Sequence, residues 1–368
     1  MSKLRRLPAW VDFVLLPVLN LLAAFAVSGL IMLALHFDPV EALSLMIAGA
    51  FGSTDQIGYT LYYATNFIFT GLAVAIAAHG GLFNIGAEGQ ALMGGLGGAL
   101  IGLFIASGLP PFLASTLAVL ACMIFGAGWA AIPGWMQAYR GSHVVITTIM
   151  MNFIAGALLT YLLVDVLIAP GGGAPESRAL ATSSLLPHIH DLAGSMGIEM
   201  AHSPLNAAVL IAIAAAVLME IFIWHTRWGF ALRTVGQNPQ AALYAGISPA
   251  RMTMIAMALS GALAGLVGAN EILGEQHRLI LGFSGGYGFV GIAVALMGRN
   301  RPAGVVIAAL LFGALYQGGS ELALDMPGIT RELVVMVQGL IILFCGAMEH
   351  IFRQPLERLF QRPSEGAV

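Results

Sequence analysis

The strongest constraint on this chain is a succession of long apolar runs separated by short polar turns. A helix needs roughly 20 mostly apolar residues to cross the hydrocarbon core of a bilayer. Runs of that kind are read at about 12–36, 57–78, 83–106, 111–137, 145–168, 204–225, 251–273, 283–298, 302–318 and 329–349. The expected fold is therefore an all-α polytopic membrane protein, with about ten transmembrane helices forming one domain over residues 1–368. Composition agrees: 59% of residues are hydrophobic and 9% charged, whereas a soluble domain carries about 25% charged residues. The surplus apolar surface must face lipid. The 46 glycines suit close helix packing there, and the net charge of −3 gives no reason to expect a nucleic-acid partner.

The segment Asp38 to Phe51 reads as amphipathic and too short to cross, so it is expected on the outer interface. Lys3, Arg5 and Arg6 before the first run resemble the start of a signal peptide. That run continues from about Phe13 to Leu35, too long for an ordinary signal core, and reads as an uncleaved first span.

Basic residues concentrate in cytoplasmic loops. With both termini cytoplasmic, Lys3, Arg5, Arg6, Arg140, Arg227, Arg233, Arg251, Arg299, Arg301, Arg353, Arg358 and Arg362 lie inside, leaving Arg178, Arg278 and Arg331 of the 15 outside. An odd number of spans would scatter this asymmetry. Cys122 and Cys345 fall in apolar stretches without metal-ligand spacing, so neither a disulfide nor a zinc site is expected on them.

Two connections are long. The outer one, about 170–203, has loop composition and carries His188, His190 and His202. His188-x-His190 without further ligands reads as solvated surface, and no metal is expected. The inner one, about 226–250, carries local signals. Asn238 can cap a helix opening at Pro239, Gly246 can end it in a left-handed turn, and Ser248 with Pro249 can start the next span. A short helix bearing Ala241, Ala242 and Tyr244 should lie flat at the cytoplasmic face, either as a capped connector or as a docking element.

The most unusual stretch is Asn84-Ile85-Gly86-Ala87-Glu88-Gly89-Gln90. An intramembrane carboxylate normally faces a cavity or a partner, and nearby glycines let a helix unwind towards a solute. The alternative is a hydrated Glu88 near the interface, with glycines that merely permit close packing. Ser284-Gly285-Gly286-Tyr287-Gly288-Phe289 repeats the glycine spacing at the start of a later span. Thr70-Gly71-Leu72-Ala73 and Ser260-Gly261-Ala262-Leu263 precede the two stretches in the same order. Five spans per half would make these halves inverted repeats, with a solute site between them. Candidate pathway residues are Asn84, Glu88, Gln90, Tyr287 and Phe289, with Asn152 and Asn270. Asn66, Asn152, Asp165, Glu220, Asn270 and Glu271 also read as helix–helix hydrogen-bonding groups.

The single lysine, Lys3, leaves no phosphate loop and no buried Schiff-base lysine. With no G-x-S-x-G or H-E-x-x-H motif either, an enzyme is not expected, and no cofactor is expected in this chain.

The segments Gly81 to Gln90, Val145 to Ala155, Trp228 to Ile247 and Gly285 to Asn300 together resemble bacterial ABC importer permeases of the branched-chain amino acid, ribose and nucleoside group, and most closely the nucleoside or simple-sugar type. That resemblance implies a multi-pass protein of the bacterial cytoplasmic membrane that works as a permease pair, the second subunit being a different chain as in nucleoside-type systems or a second copy of this one. It also implies cytoplasmic ATPase subunits that bind ATP and magnesium, and an extracytoplasmic solute-binding protein. The solute would be a small polar molecule, most readily a purine nucleoside, with a sugar as the alternative. An ion-coupled transporter is the competing class. The resemblance makes the loop around Arg233, Asn238, Pro239, Ala241, Ala242, Tyr244 and Gly246 the coupling element that docks on the ATPase.

Overall fold

The structure is a computed structural model and describes residues 11, 15–171, 173–195, 197, 200–326, 328–329 and 331–346. Lys3, Arg5, Arg6, Arg353, Arg358 and Arg362, and the side chains of Arg331 and Cys345, lie outside what is described. In chain order the α-helices are α1 (Leu16–Ala34), α2 (Pro39–Phe51), α3 (Thr54–His79), α4 (Ala87–Phe104), α5 (Pro111–Arg140), α6 (Val144–Tyr161), α7 (Ile189–Ser195), α8 (Ala208–His225), α9 (Arg227–Gln237), α10 (Pro239–Tyr244), α11 (Pro249–Gly265), α12 (Tyr287–Met297), α13 (Pro302–Asp325) and α14 (Arg331–Gly346). π-Helical turns at Leu162–Val166 and Ala269–Gln276 prolong α6 and α11. The described residues form no strand and only isolated bridges.

The chain divides into two compact units, one made of the residues before Ala50 with those after Gln317, the other of Ala50–Gln317. In the first, α1 packs on α14, and Gly318 lies against the backbone of Met46. The Asp38 carboxylate accepts from the Val40 and Glu41 amides and Pro39 opens α2, which explains why this helix starts there. Ala42 and Met46 are buried, but Val40, Leu43 and Ile47 are exposed. The expected amphipathic pattern is therefore corrected: the exposed face of α2 is itself largely apolar.

In the second unit α3 and the span Pro249–Gln276 are the core, with 83% and 72% of the residues in their most apolar stretches buried, against 17% for the span Val144–Val166. Apolar side chains such as Phe112, Ile146, Phe153 and Leu218 stand exposed on the peripheral helices α5, α6 and α8. An exposed apolar surface of this kind requires lipid, and the chain is membrane-embedded. Small residues set the packing: Gly94 of α4 meets the backbone of Gly265, and Gly126 of α5 meets that of Gly261. α4 thus packs on α11, while α12 packs on α3 through Gly291 and Thr70.

Six helices among the described residues are long and apolar enough to cross a membrane. The expected runs at 83–106 and 283–298 do not begin as helices. Residues 80–86 and 277–286 are non-helical lead-ins to α4 and α12. The first starts where α3 ends, against Gly236 of α9. The second starts at the end of the span Pro249–Gln276, where Leu180 donates to His277 O and Leu186 to Leu273 O. That span is 28 residues long, or roughly 40 Å at 1.5 Å per residue. The two lead-ins therefore enter from opposite ends of the core helices.

Candidate functional site

Both lead-ins deliver a helix N-terminus to the same point. Glu88, in the first turn of α4, accepts from Ser284 Oγ (2.5 Å) and the Gly286 amide (3.2 Å) at Oε1, and from the Gly288 amide (2.8 Å) at Oε2. The first turn of a helix offers unpaired N–H groups and a partial positive charge. One carboxylate thus serves two helix starts, its own and that of α12. Contact this close needs glycine: a Cβ on Gly288 would fall 2.2 Å from Glu88 N, and Gly286 has φ +81°.

The lead-in to α4 is locked from within the chain. Asn84 and Gln90 form a reciprocal amide pair (2.9 and 3.1 Å), and Asn84 Nδ2 also donates to Ser260 Oγ (2.8 Å). Ser260 in turn donates to Ala73 O (2.5 Å), so Ser260-Gly261 and the stretch around Gly71 meet in space. Asn152 of α6 accepts from the Gly89 amide and donates to Ile85 O, each at 2.9 Å. Asn84, Gln90 and Ser260 are buried, Asn152 is half-buried, and all are satisfied by one another or by backbone groups, which suits a frame that holds Glu88 in place.

A second network lies deeper in the core. Asn66 Nδ2 donates to Glu271 Oε1 (2.6 Å), the Tyr62 hydroxyl bonds the same carboxyl, and Asn270 Nδ2 donates to Asn66 Oδ1 (3.0 Å). Asn206 Nδ2 donates to Asn270 Oδ1 (3.1 Å), extending the network to the loop before α8. The π-helical turn places Asn270 and Glu271 on the inner side of the span, and such turns recur at functional sites. Beside it Tyr63, Phe67, Tyr287 and Tyr316 form an aromatic cluster with centroid separations of 5.0–6.4 Å. Tyr63 and Tyr316 are half-buried, so the cluster reaches the surface.

The connection between α8 and α11 is a pair of helices. Thr226 caps α9 through the Gly229 amide (3.0 Å), and Asn238 caps α10 through the Gln240 and Ala241 amides (3.0 and 3.1 Å). Gly246 follows at φ +77°, and Ser248 caps α11 through the Arg251 amide. The Arg233 guanidinium stacks 4.4 Å over Trp224, whose ring also meets His79 edge-on. His79 Nε2 donates to Asn300 O (2.9 Å), so Arg233 sits in a cluster that seats α9. Ala242 is fully buried, which corrects its expected part as a contact: it seats α10, while Leu243 and Tyr244 project outwards.

Of the expected pathway residues, the structure brings Glu88 and Tyr287 together at the meeting point, and Phe289 stands half exposed on the first turn of α12. Asn84 and Gln90 lie behind Glu88, Asn152 supports it from α6, and Asn270 belongs to the deeper network. Sequence reading missed Ser284 as a partner of Glu88 and missed Tyr63, Phe67 and Tyr316. The only signal for the aromatics was their spacing of four residues in the pairs Tyr63–Phe67 and Phe312–Tyr316.

A family model described as the permease component of branched-chain amino acid transport systems matches residues 56–346. The chain is 37% identical over 366 residues to the glucose ABC transporter permease protein of Haloferax volcanii, covering 99% of this chain and 94% of that one. It is 38% identical over 337 residues to the guanosine ABC transporter permease protein of Bacillus subtilis, covering 90% and 92%. With the nucleoside ABC transporter permease protein of Lactococcus lactis it shares 35% identity over 335 residues, 90% of each.

Proposed function

The chain belongs to the permease family of branched-chain amino acid transport systems, and from that premise we propose that it conducts a purine nucleoside through an ATP-driven importer as one of two permease subunits. The observation carrying this reading is the meeting of two helix N-termini at Glu88, beside an aromatic cluster that reaches the surface. Tyrosine and phenylalanine faces suit a planar base, and the Glu88 carboxylate suits its N–H groups or the ribose hydroxyls. Glu88, Tyr287 and Phe289 border the route, Asn84, Gln90 and Asn152 position them, and Asn270 holds the deeper wall.

ATP and magnesium are bound by a separate cytoplasmic ATPase, a second permease completes the pathway, and an extracytoplasmic protein delivers the solute. About ten spans in two inverted five-helix halves, over a single permease domain, place both termini in the cytoplasm. The crosswise packing of α4 on α11 and α12 on α3 supports the inverted halves. The loop 226–250 then faces the ATPase and the loop 170–203 faces outwards. In a cysteine-free background, Gln240→Cys and Thr182→Cys should label from opposite sides of the membrane. Labelling of both from one side would overturn this topology.

A sugar solute is favoured by the Haloferax relative, since aromatic faces also stack on sugar rings. Uptake in proteoliposomes holding the permease pair, ATPase and binding protein separates the two. Excess unlabelled guanosine, and not glucose, should suppress uptake of labelled nucleoside. Tyr63→Ala should lower uptake about tenfold, given stacking of about 1–3 kcal/mol per base, while Tyr63→Phe keeps most of it. Suppression by glucose alone would turn the assignment to sugar. Robust transport by the permease alone under an ion gradient would sink the ATP-driven reading.

A further inference from the structure

We propose that His188, His190 and Asp191 form a binding site for a divalent transition-metal ion, zinc before others, on the loop between α6 and α8. Their ligand atoms all lie within 4.8 Å of one another. His188 Nδ1 is 3.7 Å from Asp191 Oδ2, and His190 Nε2 is 3.5 Å from Asp191 Oδ1. Both distances are long for hydrogen bonds. They are close to the spacing of about 3.3 Å between neighbouring ligands in a tetrahedral site with bonds of about 2.0–2.1 Å. The two histidines face different oxygens of Asp191 and the ligand atoms lie within 4.8 Å of one another, so an ion at their centre draws them together by up to about 1.5 Å, within reach of side-chain rotation.

A second observation lies outside the ligand set. His188 Nε2 stands 3.4 Å from Glu275 Oε2, on the π-helical turn across the fold. A ligating imidazole characteristically gives its other ring N–H to a carboxylate, which fixes the tautomer and raises its basicity. With the proton on Nε2, the His188 Nδ1 lone pair points to Asp191. His190 Nδ1 is buried without a hydrogen-bond partner while Nε2 faces Asp191 Oδ1, so without an ion the carboxylate holds the ring proton on Nε2, and an ion binding at Nε2 shifts that proton to Nδ1. The His188 and His190 rings stack at 5.1 Å, and the His202 ring lies 4.5 Å from His190, near enough to supply a fourth ligand where water does not.

The frame is rigid where it must be. His188 pairs with Asn206 across an isolated bridge, Ile189 N–H donates to Leu205 O (2.8 Å), and the Ala207 amide donates to Pro187 O (3.0 Å). A groove of about 530 Å³, lined in part by His188, Asp191 and His277, gives an ion access. Two imidazoles with one carboxylate select zinc over calcium or magnesium, which take all-oxygen sets. The pair Asp191 and Glu275 balances the charge of the ion. Bound there, it ties His188 to the start of α7, and the His188–Glu275 contact links that group to the end of the span Pro249–Gln276.

The test uses the tag-free, metal-stripped permease in its complex, titrated with zinc alone against a chromophoric chelator. One equivalent per chain should bind, with magnesium and calcium failing to compete. His190→Ala and Asp191→Asn should each weaken binding at least tenfold, and Glu275→Gln by about tenfold while keeping the stoichiometry. His143→Ala, away from the cluster, should change nothing. Cobalt(II) in the unsubstituted protein should give the intense visible bands of a tetrahedral site, a reading independent of whether a variant folds. Octahedral cobalt spectra, or zinc binding equal in the unsubstituted protein and the His188→Ala/His190→Ala double variant, would overturn the site.

Discussion

Glu88→Ala should abolish transport and destabilise the permease together, because it removes the acceptor that serves three donors at the start of α12. Hydrogen bonds to a charged group contribute about 1.5–3 kcal/mol each, and unpaired amides in an apolar interior cost a similar amount. The contributions overlap, so a loss of about 3–6 kcal/mol is expected, a large share of the roughly 5–15 kcal/mol that holds a typical domain folded. Thermal unfolding of the purified protein should move down by several degrees and uptake should fall more than tenfold. Glu88→Gln keeps one acceptor but turns an NH2 group towards a backbone N–H. It should sit between the two in stability while still losing most transport. Unchanged unfolding and uptake in Glu88→Ala would remove Glu88 from both roles.

Leu243→Ala with Tyr244→Ala on α10 should have the opposite signature: transport lost at least tenfold with the permease as stable as before. Tyr244 is 95% exposed and Leu243 56% exposed, and truncating exposed side chains usually changes stability by less than about 0.5 kcal/mol. On the proposed docking role, what the truncation removes is the contact with the ATPase. ATP-driven uptake and copurification of the ATPase should therefore fall together. Ala242→Asp provides the contrast, since it buries a charge at a fully enclosed position and should reduce folded protein instead. A Cβ on Gly246 would meet no atom within 4 Å, so the main cost of Gly246→Val is the left-handed backbone, about 1–2 kcal/mol. It should tilt α10 and weaken coupling less than the double truncation does. Normal uptake and copurification after Leu243→Ala/Tyr244→Ala would take the docking role away from α10.

The sequence by itself determined what depends on neighbours along the chain. Apolar runs of spanning length dictate helices and a membrane, because in lipid only a helix satisfies its backbone groups within a single continuous apolar segment. Asn238, Pro239, Gly246 and Ser248 dictate where α10 and α11 start and stop, because capping acts within three or four residues. The glycines around Glu88 and Tyr287 marked the two interrupted spans for the same local reason.

Tertiary structure decided what those local features meet. Glu88 and Ser284 are 196 residues apart, and no periodicity can say that one helix start closes on another. Burial divided α10 into Ala242 within and Tyr244 outside, because that depends on which neighbour covers which face. It likewise gave α2 an exposed apolar face where its sequence read as amphipathic. His188 and Glu275, 87 positions apart, became neighbours only when the loop between α6 and α8 folded onto the end of a core span. Chain proximity fixes helices and caps because their energies are local. Pathways and ligand sets come from residues far apart in sequence, and only the packed fold brings these together.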